Sequence, residues 1–309
     1  MSSQTILVIG GSGFIGSAVL EELTVNGNNV LATSFSQNQN LIPFNILVRE
    51  SWSEIIEQYK PTTVISTAWE TEHRAYWTKS SNYDYMEATI GFARECFENS
   101  VDKFIGLGTS SEYGYSPGAC DKDRTELNPF GFYSECKVET GIRLKELSNS
   151  YGKLSNWVRL FQPFGPKEKP ERLIPKLIES VYKDQKTEIL YPQHLLDFTF
   201  SKTIANGINY VLLNNLDHFV DLGAGEPLTV QNMASDIVDS LGKDLELLTY
   251  GAEHDQDERF CYVDRTSEIF KSGWSPRHTT LDNLRQHCDS YRKLMDLHPI
   301  LKNVDRPKG

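Results

Sequence analysis

The chain has no apolar stretch that approaches the ~20 residues needed to cross a membrane. Its first residues lack a basic segment followed by an apolar one, so no secretory signal is expected. Basic residues are outnumbered, with 31 Lys and Arg against 42 Asp and Glu and a formal net charge of −11. This balance argues against a nucleic-acid-binding surface, which needs a basic face. We therefore expect neither a membrane nor a nucleic acid as partner.

Cysteine is also scarce. The five cysteines do not have the spacing of metal ligands, so no metal site is predicted. Their number and spacing are typical of a protein from a reducing, cytoplasmic environment. Cys136 is interpreted as a packed thiol rather than a redox group.

What the chain does contain is an alternation of strand and helix patterns. Its 309 residues suffice for one large α/β unit and a smaller lobe. Strands are predicted at 5–9, 29–34, 62–67, 103–109, 155–161 and 218–222, and helices at 13–26, 52–59, 83–99, 132–151, 171–183, 232–241 and 281–297. Such alternation predicts a Rossmann-type, doubly wound parallel sheet. We assign residues 1–166 and 197–222 to a dinucleotide-binding domain, and 167–196 and 223–309 to a smaller α+β substrate-binding lobe.

Three glycines follow the first predicted strand. Gly10, Gly13 and Gly16 lie where a short apolar run gives way to a helical pattern. Glycines at such a turn let the backbone approach a pyrophosphate, and the helix start offers unpaired N–H groups. The spacing is Gly-x-x-Gly-x-x-Gly, not the commoner Gly-x-Gly-x-x-Gly, and a turn that binds nothing would show the same pattern.

Tyr133 and Lys137 are four residues apart in a predicted helix, so their side chains should share one face. An ammonium ion beside a phenol favours the phenolate. Lowering the pKa of Tyr133 from ~10 to about 7 requires roughly 4 kcal/mol, which two cations in a dry site, Lys137 and an oxidised nicotinamide, could supply. An exposed Tyr–Lys pair would have the same spacing. The hydroxyl cluster Thr109, Ser110 and Ser111 ends the predicted strand 103–109, where active sites of parallel sheets lie.

The order of these features resembles the extended short-chain dehydrogenase/reductase family, the nucleotide-sugar epimerases, dehydratases and ketoreductases. Further similarities are Arg159-Leu-Phe-Gln-Pro-Phe-Gly-Pro166, Phe219-Val-Asp-Leu-Gly-Ala-Gly225 and Gly273-Trp-Ser-Pro276. The segment Gln193-His-Leu-Leu-Asp-Phe-Thr-Phe200 also matches, but Leu196 stands where Arg is usual. The resemblance covers nearly the whole chain.

The resemblance implies roles for individual residues. Thr109, Tyr133 and Lys137 match the catalytic Ser/Thr–Tyr–Lys triad. The residues expected to bind a nicotinamide dinucleotide, besides Tyr133 and Lys137, are Gly10, Gly13, Phe14, Ile15, Gly16, Ser34, Ser36, Thr67, Ala68 and Gln162. Those expected to bind substrate are Trp69, His73, Ser110, Ser111, Arg172 and Gln193, although the aromatic residues could equally serve packing.

The end of the second predicted strand bears on the cofactor. An acidic residue there would hydrogen-bond the adenosine ribose and reject a 2′-phosphate. Thr33, Ser34 and Ser36 occupy this position instead. This favours NADP(H), and NAD(H) stays possible because no arginine is visible to clamp a phosphate.

Ser110 and Ser111 bear on the reaction. In the family's 4,6-dehydratases an Asp–Glu pair follows the Thr, whereas here the carboxylate of Glu112 is displaced by one residue. Elimination of water is therefore not expected. We predict a reductase of a nucleotide-linked 4-keto-6-deoxy sugar. The resemblance alone suggests dTDP-4-keto-6-deoxyglucose as the first substrate to test, and a role in deoxysugar biosynthesis for surface polysaccharide such as lipopolysaccharide O-antigen.

Two alternatives remain open at this point. One is a nucleotide-sugar 4-epimerase that retains NAD, and the other is a catalytically inactive, NADP-sensing regulator. The complete set of Thr109, Tyr133 and Lys137 argues against the regulator. The resemblance further implies a homodimer formed through the helices at 83–99 and 132–151, although Met86, Ile90 and Phe97 could equally face the sheet.

Overall fold

A computed structural model describes residues 4–35, 40–70, 72, 75–251 and 259–297. Its strands are β1 (Thr5–Ile9), β2 (Asn29–Ser34), β3 (Ile42–Pro43), β4 (Thr63–Ser66), β5 (Lys103–Thr109), β6 (Gly118–Cys120), β7 (Leu154–Leu160), β8 (Pro163–Phe164), β9 (Thr187–Ile189), β10 (Leu195–Leu196), β11 (Thr199–Phe200), β12 (Phe219–Leu222), β13 (Leu228–Thr229), β14 (Leu248–Tyr250) and β15 (Phe260–Val263). Its helices are α1 (Phe14–Val25), α2 (Trp52–Tyr59), α3 (Ser81–Glu98), α4 (Gly131–Tyr151), α5 (Leu173–Tyr182), α6 (Ser201–Leu213), α7 (Val230–Leu241), α8 (Glu268–Lys271) and α9 (Thr280–Leu297).

The central sheet has seven parallel strands in the order β12-β7-β5-β4-β1-β2-β3. The direction of winding reverses between β1 and β4, so the carboxyl ends of these two strands flank a crevice. In sheets of this kind ligands bind outside such a crevice. The predicted doubly wound α/β fold is confirmed.

Alternate residues of the buried strands pack into two hydrophobic cores, one on each face of the sheet. In β1, Ile6 and Val8 pack with α1 and α6 on one face, whereas Leu7 and Ile9 pack with α2, α3 and α4 on the other. A strand covered on both faces must be apolar throughout, which explains the uninterrupted run that marked β1 in the sequence.

A third core lies outside the central sheet. It is built from β6, β10, β13 and β15, which form one small sheet, and from α5, α7 and α9. The chain leaves this part once and then returns to it. In between, α6 packs against α1 and β12 pairs with β7, within residues 197–222 that were assigned to the dinucleotide-binding domain. The exact domain boundaries stay a prediction.

The helices α3 and α4 pack against each other beside the sheet. Met86, Ile90 and Phe97 are buried, so these apolar side chains of α3 are not available to a second copy. The exposed large apolar residues include Tyr83 and Ile142, and an Arg143–Glu87 ion pair bridges the two helices. Among the described helices, none is both long and apolar enough to span a membrane.

Candidate functional site

The glycine turn between β1 and α1 is tightly packed. Gly10 has φ +82°, and the Gly13 N–H donates to the Gly10 carbonyl at 3.0 Å. A Cβ at Gly16 would lie 2.1 Å from that same oxygen. Gly13 caps α1 without a side chain and the first turn carries no acid, so the N–H groups there suit a phosphate. The predicted pyrophosphate site thus has the shape and charge to fit a dinucleotide.

Neighbouring strands support this turn. Thr67 follows β4, and its hydroxyl donates to the carbonyls of Ile9 (2.8 Å) and Gly10 (3.2 Å). A Cβ at Gly10 would lie 3.3 Å from the Ala68 nitrogen, so Ala68 also borders the turn. Phe14 and Ile15 are half-buried in the first turn of α1. These residues surround the predicted cofactor position.

The polar end of β2 is less open than its sequence suggests. Thr33 is buried, and its hydroxyl accepts the Gly10 N–H at 3.1 Å. Ser34 is also buried and donates to the Ser12 hydroxyl at 3.0 Å. Ser36 lies outside the described residues. Thr33 therefore shapes the glycine turn, and contact between Ser34 and a 2′-phosphate stays a prediction.

The predicted triad is assembled at the carboxyl end of β5. Thr109 ends this strand, and its hydroxyl shares a hydrogen bond with the Tyr133 phenol, which stands in the first turn of α4. Lys137, one turn further along α4, donates to the Leu107 carbonyl at 2.8 Å. Tyr133 and Lys137 are buried, so the predicted shared face of α4 points inward to the sheet.

Burial dominates the acid–base behaviour of this pair. It raises the pKa of the Tyr133 phenol, as do Tyr76 and Glu112, whereas the Thr109 hydrogen bond and Arg172 lower it. Burial also lowers the pKa of Lys137 to about 7, against the opposing effect of Glu112. The sequence predicts a lowered pKa for Tyr133, but the side chains that surround it in this structure do not lower it on their own. The surroundings of Tyr133 therefore favour the phenol over the phenolate.

Aromatic rings enclose Tyr133. The centroids of Tyr76, Trp77 and Trp69 lie 4.8, 5.7 and 6.3 Å from that of Tyr133, each ring nearly perpendicular to it. The Tyr133 N–H donates to the Trp77 carbonyl at 3.1 Å, which joins the start of α4 to this wall. Sequence reasoning did not include Tyr76 or Trp77 among the site residues. The aromatic-rich run that begins at Trp69 was the available signal.

Arg172 joins the cluster from the smaller core. It stands at the start of α5, donates a hydrogen bond to the Tyr76 phenol and acts electrostatically on Tyr133. Its guanidinium Nε lies 3.7 Å from the Glu168 carboxylate. Burial raises the pKa of Glu168 to about 7, against the opposing effect of Arg172. The structure thus brings a predicted substrate residue to the triad.

Other predicted substrate residues are placed differently. Ser110 and Ser111 are buried behind Thr109, and the Ser110 hydroxyl hydrogen-bonds the Cys261 thiol. Gln193 is exposed on the turn before β10. Gln162, predicted to contact the cofactor, follows β7 with φ +21°. His73 lies outside the described residues, and its role stays a prediction.

Glu112 points away from the triad hydroxyls into the core. Its carboxylate accepts the Thr109 N–H (2.9 Å), the Trp157 indole N–H (3.0 Å) and the Arg159 Nε–H (2.6 Å). Arg159 also donates to the Tyr113 hydroxyl at 3.0 Å. Both members of the Glu112–Arg159 pair are almost wholly buried. Glu112 therefore anchors the turn after β5, as its displacement in the sequence indicated.

Comparison with known proteins connects this geometry to a family. The model of the NAD dependent epimerase/dehydratase family matches residues 6–223. The chain belongs to this family. The resemblance inferred from the sequence motifs is thereby confirmed.

Individual relatives have low sequence identity to this chain, but the similarity extends over most of its length. An uncharacterized UDP-glucose epimerase of Bacillus subtilis is 27% identical over 77% of this chain and 82% of its own length. A dTDP-glucose 4,6-dehydratase of Streptomyces niveus is 21% identical over 98% of this chain and 97% of its own. The crystal structure of a Thermotoga maritima UDP-glucose 4-epimerase has a TM-score of 0.82 at 21% identity, over 94% of this chain and all of that chain. Family membership supports an enzyme that uses a nicotinamide cofactor on a nucleotide sugar.

Proposed function

We propose that this protein reduces the C4 keto group of a nucleotide-linked 4-keto-6-deoxy sugar. The observation that carries the proposal is the buried Tyr133 phenol, which is hydrogen-bonded to the Thr109 hydroxyl at the carboxyl end of β5. Serines occupy the two positions after Thr109, and the carboxylate of Glu112 is committed to Arg159. The site therefore has a proton donor for a developing alkoxide, without the two groups that elimination of water would require.

The side chains have distinct tasks in this reduction. When bound, the reduced nicotinamide supplies hydride to the C4 carbon. Tyr133 donates its proton to the carbonyl oxygen, and Thr109 orients that oxygen through its hydroxyl. Lys137, as an ammonium ion, would hold the ribose, and it stabilises the phenolate that remains. The glycine turn would hold the pyrophosphate through Gly13 and the start of α1.

The cofactor preference follows from β2. No Asp or Glu occurs between residues 23 and 49, so nothing acidic follows this strand to repel a 2′-phosphate. This supports NADPH over NADH as the reductant. The homologous structures that name a cofactor name NAD, so the test must compare the two.

A 4-epimerase is the second candidate, because relatives in both comparisons carry that name. Epimerisation through a ketone requires hydride to leave one face of C4 and return to the other. The keto sugar must therefore rotate within the site between the two hydride transfers. An enzyme that retains NAD would gain from an acidic residue after β2 to bind the adenosine ribose, and residues 23–49 contain no Asp or Glu. This absence supports the reductase over the epimerase.

The deciding experiment supplies candidate sugars to the purified protein. With dTDP-4-keto-6-deoxyglucose and NADPH, a reductase consumes the cofactor in a one-to-one ratio to the 4-hydroxy product. UDP-glucose without added cofactor is the parallel sample. Its conversion to UDP-galactose, with no cofactor consumed in the first reaction, would replace the reductase by the epimerase. Cofactor binding without turnover of any sugar would favour the inactive regulator.

The wider setting is also proposed. We expect a cytoplasmic enzyme of deoxysugar biosynthesis for surface polysaccharide. A homodimer would use the outer face of α3 and α4, where Tyr83 and Ile142 are exposed.

A further inference from the structure

Trp69 contacts the catalytic lysine directly. It follows β4 by three residues, and the Lys137 Nζ lies 3.6 Å from the centroid of its ring. This is closer than the 5.7 Å from Nζ to the Tyr133 ring or the 5.4 Å to the Trp157 ring. An ammonium ion over an indole face within about 6 Å is attracted by the ring quadrupole, and more strongly in a dry site.

The orientation of Trp69 is fixed by its neighbours. Its indole N–H donates to the Asn82 side-chain oxygen at 2.9 Å. Asn82 is itself buried, and its amide donates to the Tyr76 carbonyl (2.6 Å) and the Lys79 carbonyl (2.9 Å). The Tyr85 ring stacks on Trp69 with centroids 5.8 Å apart. The indole face is therefore held in place before any ligand binds.

Lys137 needs such a partner because it is buried. The hydrogen bond from Lys137 to the Leu107 carbonyl satisfies one of the three N–H donors of the ammonium group. The titratable groups that face it are Glu112 after β5 and Cys136 and Tyr133 on α4, while Tyr85 of α3 lies behind Trp69. Burial lowers the pKa of Lys137 to about 7, and the indole face acts in the opposite direction by stabilising the cation.

We propose that Trp69 is a positioning residue that keeps Lys137 charged and fixed beside Tyr133, rather than a platform for the sugar. This inference rests on the proposed nicotinamide chemistry, in which the ammonium of Lys137 holds the ribose. Trp69 acts through Lys137 and takes no part in proton transfer.

The test compares Trp69→Leu, which removes the aromatic face, with Trp69→Phe, which retains one. The readout is the affinity for NADPH between pH 6 and 9, followed by nucleotide fluorescence without any sugar. Wild-type affinity should fall as Lys137 loses its proton. In Trp69→Leu the pH at the midpoint of this decrease should be lower by about one unit. At pH values above the wild-type midpoint, NADPH should then bind about tenfold more weakly to the variant than to the wild type. Trp69→Phe should retain most of the wild-type midpoint.

Trp52→Leu is the matched control. Trp52 is a similarly anchored indole, whose N–H donates to the Ile46 carbonyl at 2.9 Å, but it packs on Phe92 away from the triad. Its loss should lower thermal stability and leave the midpoint unchanged. If Trp69→Leu does not fold, fluorinated tryptophan incorporated into the intact chain weakens the same contact. The midpoint should then fall in the wild type and not in Trp69→Phe.

A second measurement separates the two possible roles. In a Lys137→Met background, Trp69→Leu should change NADPH affinity less than about twofold, because the group it acts on is absent. An unchanged midpoint together with a raised KM for the sugar would overturn the proposal and make Trp69 a sugar platform. A shifted midpoint in a protein that reduces no keto sugar would leave the Trp69 role standing and refute only the proposed reaction.

Discussion

Replacing Glu112 by Leu should destabilise the protein without removing a catalytic group. The carboxylate accepts three buried hydrogen bonds, and its loss leaves the Arg159 guanidinium without its closest counter-charge. Breaking a buried ion pair by removing one partner costs ~3–5 kcal/mol. Arg159 keeps its bond to Tyr113 at 3.0 Å and lies 3.8 Å from Asp221, so we expect the lower end, about 3 kcal/mol.

Two assays test this expectation together. Urea unfolding gives the free energy of unfolding, and kcat is measured per folded molecule at a temperature where both proteins are native. The double variant Glu112→Leu/Arg159→Met should recover most of the lost stability, because an apolar pair of similar volume often replaces a buried ion pair at little cost. The result that refutes the reasoning is native stability with kcat reduced 100-fold or more, as expected for loss of a general acid or base.

Tyr133→Phe should lower kcat by roughly 10²–10⁴ as the proton donor is lost, with cofactor affinity nearly intact in a binding titration; near-native kcat would show that the acid is another group. Ser34→Asp should weaken NADPH more than NADH, and an unchanged ratio of kcat/KM values for the two cofactors would mean that the adenosine pocket lies elsewhere. Burial lowers the pKa of His287 to about 4 from an ordinary 6.5, so as pH falls below 6.5 the unfolded chain takes up a proton that the folded protein does not. The free energy of unfolding should therefore fall by up to about 3 kcal/mol between pH 6.5 and 4. His287→Phe should flatten this part of a pH series of urea melts, and an equally steep series for the variant would contradict this role of His287. Light scattering at micromolar concentration should give a dimer if the outer face of α3 and α4 associates, whereas a monomer would exclude that assembly.

Local patterns predicted much of the fold and part of the site. The run of β1, the glycines after it and the start of α1 are contiguous, so their spacing alone defines a strand, a turn and a helix. Tyr133 and Lys137 share a helix face because helical periodicity places residues four apart on one side. Six strands of the central sheet could likewise be predicted from their apolar runs. Their carboxyl ends lie on one edge of the sheet because all of its strands are parallel.

Patterns of this kind do not say what a side chain meets across the fold. Ser34 ends β2, as predicted, yet its hydroxyl is buried against Ser12. The three apolar residues of α3 that were candidates for a dimer interface proved to face inward, since an amphipathic stripe shows that a face is covered but not by what.

Six strands of the central sheet, the glycine turn and the shared helix face of Tyr133 and Lys137 were predictable from the chain alone, because each depends on residues close in the chain or on the period of a single element. The family resemblance added Thr109 to that pair. The contacts of Glu112 with Arg159 and of Trp69 with Lys137 could be found only in the folded protein. Those partners are distant in sequence, and their meeting depends on how β4, β5, β7 and α4 pack. The raised pKa of Tyr133 also depends on the folded core, because burial is a property of the assembled protein and not of the residue.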